Sequence, residues 1–109
     1  MKGEIKMINA KEAYDLSAPN VDTYRAFIDK RIREAASTGK LKIEIRDSPY
    51  NMWLYGADAI TKLAKKDACA AKVMRELKDL GYSAKLYYSE GQFVDVALVI
   101  SWEKYKKIL

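Results

Sequence analysis

The sequence predicts an α+β fold: a three-stranded mixed sheet in the order 1-3-2, with helices packed on one face and the topology α-α-β-α-β-β. Three observations carry that expectation. Apolar residues recur at spacings of three and four over 21–36 and again over 70–80. They alternate with polar residues over 40–46 and 82–88. The turn chemistry of Ser89-Glu90-Gly91-Gln92 then joins the second such segment to a third. A chain of 109 residues, half of them apolar, suits a single domain over 1–109 with one core.

The first helix is expected over 9–18, with Asn9 as its N-cap, Ala13, Leu16 and Tyr14 on its apolar side, and Pro19 ending it. Asn20 caps a second helix whose inward positions are Val21, Tyr24, Phe27, Ile28, Ile32, Ala35 and Ala36. Gly39 follows where a left-handed cap belongs, and the opposite side carries Arg25, Asp29, Lys30, Arg33 and Glu34 as a solvated face. Leu41, Ile43 and Ile45 alternate with Lys40, Lys42, Glu44 and Arg46 in the first strand. After Asp47-Ser48-Pro49 an aromatic run, Tyr50, Trp53 and Tyr55, leads into a helical region over 57–80 that reads as either one helix or two. Its second part places Ala70, Val73, Met74, Leu77 and Leu80 inward and stops at Gly81.

Tyr82, Ala84, Leu86 and Tyr88 share one face of the second strand, with Ser83, Lys85 and Tyr87 on the other. Gly91 is available for positive φ in the turn. In the third strand Val94, Val96, Leu98, Ile100 and Trp102 share a face, and Phe93, Asp95, Ala97, Val99 and Ser101 share the other. A strand apolar on both sides near its end belongs at the centre of the sheet or at a covered edge. The hairpin makes the last two strands antiparallel, and the long crossover lets the first two run parallel with the third between them.

Composition narrows the chemistry. Histidine is absent, which removes the commonest general base and transition-metal ligand. The single cysteine, Cys69, lies among small residues and reads as a small buried hydrophobe. No Gly-rich phosphate loop, metal-ligand spacing or nucleophile elbow occurs. Neither an enzyme nor a cofactor or metal site is expected, and Asp47 and Asp58, which flank the aromatic run, read as caps. No run approaches the ~18 apolar residues of a membrane span, and 1–7 is charged rather than signal-like, so no membrane association is expected. The formal charge of +5, from 20 Lys and Arg against 15 Asp and Glu, favours phosphates or an acidic partner.

Two constellations can carry binding. In the first, Arg46, Ser48, Tyr50, Asn51, Trp53 and Tyr55 crowd a strand end, where aromatic faces can sandwich a base and Arg, Ser and Asn can meet its polar edge or phosphate. The alternative is that Trp53 and Leu54 are simply the first core turn of the next helix. In the second, Lys42, Glu44, Lys85, Tyr87, Asp95 and Ala97 form the open face of the sheet, either a basic platform for single-stranded nucleic acid or an ordinary solvent or subunit face.

The run Ile32-Arg33-Glu34-Ala35-Ala36-Ser37-Thr38-Gly39-Lys40, the helix end at Leu77 to Tyr82 and the closing strand at Ile100-Ser101-Trp102 together resemble small bacteriophage-encoded accessory proteins. Some of those are oligomeric sponges that sequester the immune nucleotides of CBASS and Thoeris defences. The resemblance implies a homo-oligomeric viral anti-defence protein of the host cytoplasm, binding a small anionic nucleotide. The aromatic insert over 47–56 departs from the short connection expected of such proteins. Two further readings stand beside this one: an inhibitor that docks on a host defence protein, and a virion or replication accessory protein that binds nucleic acid through Lys104-Tyr105-Lys106-Lys107.

Overall fold

The computed structural model describes residues 5–17 and 20–105, with side chains given for all of these except 14–17. Helices α1 (Ala10–Ser17) and α2 (Val21–Ser37) precede strand β1 (Lys42–Ile45); a 3-10 turn (Tyr50–Met52) and helices α3 (Ala59–Lys66) and α4 (Ala68–Asp79) follow. Strands β2 (Ser83–Ser89) and β3 (Asp95–Ser101) then close on a second 3-10 turn (Glu103–Tyr105). The sheet has the order β1-β3-β2, as the hairpin and crossover require. Both ladders are antiparallel. β1 and β2 therefore run in the same direction, but β3 lies between them and the mixed character expected of the sheet yields no parallel ladder.

Side-chain caps start three of the four described helices, and glycines close two of them. Asn9 Oδ1 accepts from the Glu12 N–H at 2.8 Å and Glu12 Oε1 accepts from the Asn9 N–H at 3.1 Å, a reciprocal box that starts α1. Asn20 Oδ1 accepts from the Thr23 N–H at 2.8 Å to start α2. At the end of α2, Gly39 adopts φ +85°, and the amides of Gly39 and Lys40 return to the carbonyls of Ala36 and Ala35. Gly81 at φ +102° does the same for α4, with Tyr82 N–H donating to Leu77 O at 3.0 Å.

The helical region over 57–80 divides at one residue. Asp67 is extended (φ −150°, ψ 90°), its amide closes α3 on Leu63 O, and its Oδ1 accepts from the Ala70 N–H to open α4. An aspartate favours that position because its short carboxylate competes with the helix for a backbone donor.

The core lies between the sheet and the helices. Ile43 and Ile45 of β1 and Leu98 and Ile100 of β3 meet Tyr24 and Ile28 of α2 and Ala70, Val73, Met74 and Leu77 of α4. Each such aliphatic side chain contributes about 1.5–3 kcal/mol on burial. Some expected core positions differ. Leu80, the C-cap of α4, is 69% exposed, because the chain leaves the helix there and turns at Gly81. Ala36 is also exposed, one position past the last buried residue of α2. Phe93 and Val94 sit in the β2–β3 connection rather than in β3, and both are exposed. Among the described residues the positive-φ glycines are Gly39, Gly56 and Gly81, so the connection does not use Gly91 in that way. Cys69 is half-buried against the core. Residues 5–13 are exposed throughout, including Ala13 of α1. Leu16 and Tyr14 have no described side chain, and Pro19 lies outside the described residues.

Replacing Trp53 by Ala is expected to lower the unfolding free energy by about 3–5 kcal/mol in a denaturant titration, as for other buried aromatics. Tyr24→Phe is expected to cost about 1–2 kcal/mol, since it removes the hydroxyl that donates to Asp67 Oδ2 at 2.5 Å. Burial, then the Asp67 bond, push the Tyr24 pKa well above the ordinary tyrosine value. The folded protein therefore keeps that proton when the unfolded chain loses it. The contribution is complete below about pH 10 and declines as pH rises further. Tyr24→Phe should flatten this alkaline arm of the stability profile.

Candidate functional site

The structure separates the residues expected to form an aromatic ligand pocket. Tyr50 is 6% exposed and Trp53 3% exposed; both belong to the core. Tyr50 stacks on Phe27 at 4.3 Å with rings 9° apart, and Tyr24 meets the edges of Tyr50 at 5.5 Å and Trp53 at 4.8 Å. Buried to that extent, neither ring presents a free face in this structure. Burial also raises the Tyr50 pKa, with the Asp47 charge adding to it.

The remaining residues of the set do not converge. Ser48 is exposed, preceding a cis bond to Pro49. Asn51 is half-buried, its amide donating to Asp47 O at 3.0 Å and its Oδ1 enclosed without a hydrogen-bond partner. Tyr55 packs against Tyr88 of β2, ring centres 5.7 Å apart. Arg46 continues β1 onto the opposite face of the sheet. The carboxylates Asp47 and Asp58 also have separate duties: Asp47 pairs with Arg31 at 3.5 Å, and Asp58 precedes α3 in a left-handed conformation at φ 52°.

The open face of the sheet gathers the charge instead. Its rows follow from the register: Lys42–Ser101–Ser83, then Glu44–Val99–Lys85, then Ala97–Tyr87. Arg46 follows the pair Ile45–Leu98 and so flanks Ala97 from the other side. Its guanidinium lies 5.7 Å from the Tyr87 ring centre, and the two together cover Ala97, which is fully buried although it points away from the helices. Arg46 also holds Asp95 through two bonds at 2.8 and 3.0 Å and Glu44 at 3.1 Å. Asp95 and then Glu44 hold the Arg46 pKa above its usual value, and Arg46 in turn holds the Asp95 carboxyl below the usual carboxylate range. Arg46 is thus electrically compensated within the protein.

The lysines beside it are not. Lys42, Lys85 and Lys104 line a cleft of about 320 Å³ with Ser83, Ser101, Val99 and Glu103. Three cations face one carboxylate there, a local excess of two positive charges. Glu103 is engaged by the Ser101 hydroxyl at 3.3 Å, while Lys104 Nζ lies over the neighbouring Tyr105 ring at 5.5 Å. All three lysines are exposed, and Lys42 and Lys85 have no ion-pair partner among the described residues. A second cleft of about 460 Å³, lined by Arg31, Lys40, Lys42, Glu44 and Arg46, adjoins the first through Lys42.

The alternation of β1 and β2 was enough to place Lys42, Lys85 and Tyr87 on this face. The alternation of β2 and β3 puts Ser83 and Ser101 on the same face, as expected; the place of Glu103 and Lys104 depends on the turn after β3. Lys106 and Lys107 lie outside the described residues. Among the described residues no group of three or more His, Cys, Asp or Glu side chains is placed to hold a metal ion, and no helix is long and apolar enough to cross a membrane.

Arg46→Ala is expected to return the Asp95 pKa from its depressed position toward about 3.9, followed by the carboxyl resonance in an NMR pH titration. The sign is fixed: a carboxylate held low in the folded protein contributes above its unfolded pKa, and that contribution fades as pH falls through the folded value. Compared with protein-family models, with curated proteins and with solved structures, the chain matches none.

Proposed function

We propose that this protein binds a phosphate-bearing nucleotide on the open face of its sheet and carries out no chemistry on it. The observation that supports this reading is the cluster of Lys42, Lys85 and Lys104 around the hydroxyls of Ser83 and Ser101. Ammonium groups and hydroxyls are the donors a phosphate uses, and charge-assisted bonds are the stronger ones. Tyr87 stands two residues from Lys85 on the same face, about 7 Å along the strand, and remains 41% exposed. That places a partly open aromatic ring one row from the phosphate donors. The absence of histidine from the sequence supports binding over acid–base catalysis.

The resemblance to phage accessory proteins supplies the setting: a viral anti-defence sponge in the host cytoplasm that withdraws an immune nucleotide. This setting rests on the resemblance alone. A second reading, single-stranded nucleic acid, is favoured by the continuity of the two basic clefts through Lys42.

Titration calorimetry with cyclic dinucleotides, cyclic trinucleotides, ADP-ribose and a short oligothymidylate separates these readings. One of the cyclic nucleotides or ADP-ribose should bind and lose roughly tenfold in affinity with Lys42→Ala or Lys85→Ala. Tyr55→Ala should leave that affinity unchanged, since Tyr55 lies against Tyr88 and outside the cleft. Binding that strengthens with oligonucleotide length and falls steeply with salt indicates nucleic acid. No binding across the panel overturns both.

A further inference from the structure

The two edges of the sheet are unlike. β1 is four residues long and carries Lys42 and Glu44, and the Arg31 guanidinium donates to its Glu44 carbonyl at 3.2 Å. Short length, charge and a side chain on the edge carbonyl all discourage the addition of another strand. β2 is seven residues long, and among the described residues none of the backbone hydrogen bonds outside the ladders begins or ends on 83–89. Among those residues its outer edge is a bare row of donors and acceptors.

We propose that two copies of this chain pair through their β2 edges, antiparallel about a two-fold axis at Leu86, so that Tyr88 of each copy enters the groove beside Ala84 of the other. The register follows from three constraints. A two-fold axis perpendicular to the sheet opposes residues of the same face and keeps both helix layers on one side. An axis at Leu86, the midpoint of β2, uses all seven residues of each strand. It sets Lys85 opposite the second copy's Tyr87, Ala84 opposite Tyr88 and Ser83 opposite Ser89. Moving the axis to Lys85 would put two lysines face to face, and moving it to Tyr87 would shorten the overlap.

The contents of that register are complementary. On the open face an exposed lysine meets an exposed tyrosine on each side of the axis, an arrangement that favours cation–π contact. On the helix face the small Ala84 leaves room for a large partner. The groove beside it, about 610 Å³, is floored by Leu54, Ile60, Met74 and Tyr82 and rimmed by Arg75, Lys78 and Lys104. Tyr88 is 39% exposed and its hydroxyl donates to Glu90 at 3.0 Å, so an aromatic ring arrives with a carboxylate attached. Arg75 and Lys78 have no ion-pair partner among the described residues. An apolar groove with a cationic rim therefore faces an aromatic side chain with an anionic neighbour. Antiparallel pairing adds roughly one hydrogen bond per residue pair and extends the sheet to six strands.

The inference does not rest on the nucleotide reading, although it provides the homo-oligomer that the resemblance implies. Sedimentation equilibrium across the micromolar range tests it on the full chain. Wild type should approach twice the 12.4 kDa chain mass. Tyr88→Lys, which presents a cation to the cationic rim, should weaken the dimer at least tenfold, and Glu90→Lys, at an exposed position, should weaken it several-fold. Circular dichroism should show both variants folded. Glu44→Lys on the β1 edge should leave the dimer intact, and amides of 83–89 should gain hydrogen-exchange protection as dimer forms. A wild-type monomer at every concentration, a dimer that neither Tyr88→Lys nor Glu90→Lys weakens, or one lost with Glu44→Lys overturns the proposal.

Discussion

The hydrogen bond from the Tyr24 hydroxyl to Asp67 joins more of this fold than any other single contact. Asp67 ends α3 with its amide, starts α4 with one carboxylate oxygen and receives Tyr24 from α2 on the other. Tyr24 in turn presents its ring to the edges of Tyr50 and Trp53, so the insert between β1 and α3 is fixed by the same residue. Position and chemistry are inseparable here: the carboxylate that caps α4 also sets where α2 crosses it. Farther along the same pair of helices, Arg25 grips Glu76 with Nε to Oε1 at 2.7 Å and holds that carboxyl below its usual pKa. That surface pair adds direction to the packing and little stability.

Local rules made much of this legible. Asn20, Gly39 and Gly81 declare helix ends because each answers a specific need of the backbone there. The alternation in β1 and β3 fixes which side chains meet the helices, and one hairpin then leaves little freedom in strand order. Long-range demand was not legible. Nothing local distinguishes an aromatic run that fills a core from one that awaits a ligand, and Tyr50 and Trp53 are claimed by Tyr24 and Phe27, more than twenty positions away in sequence. A last helical stretch starting at about Asp67 was readable, but not whether it is a separate helix, because an aspartate can also lie on the outer face of a continuous one until a tyrosine from elsewhere binds it.

The basic residues show why net charge is a poor guide to a site. Arg46, the residue whose chemistry best suits a phosphate, is committed to Asp95, Glu44 and Tyr87. It serves as a clamp across β1, β3 and β2 and as the cover over Ala97. The plainer lysines at Lys42 and Lys85 have no ion-pair partner among the described residues. The excess that a ligand would feel is therefore set by which cations the fold leaves over.

The difference between the sheet's two edges has a consequence for assembly. A body with two adhesive edges can add neighbours at both and grow without limit, as in cross-β fibres. Here the Arg31 side chain caps one margin, and on the proposed pairing the other takes a single strand, which gives the sheet a valence of one. Any strand that joins β2 ends the growth, and what remains exposed afterwards is the blunted margin on each side. On that proposal the assembly closes at two copies, a discrete particle rather than a fibre.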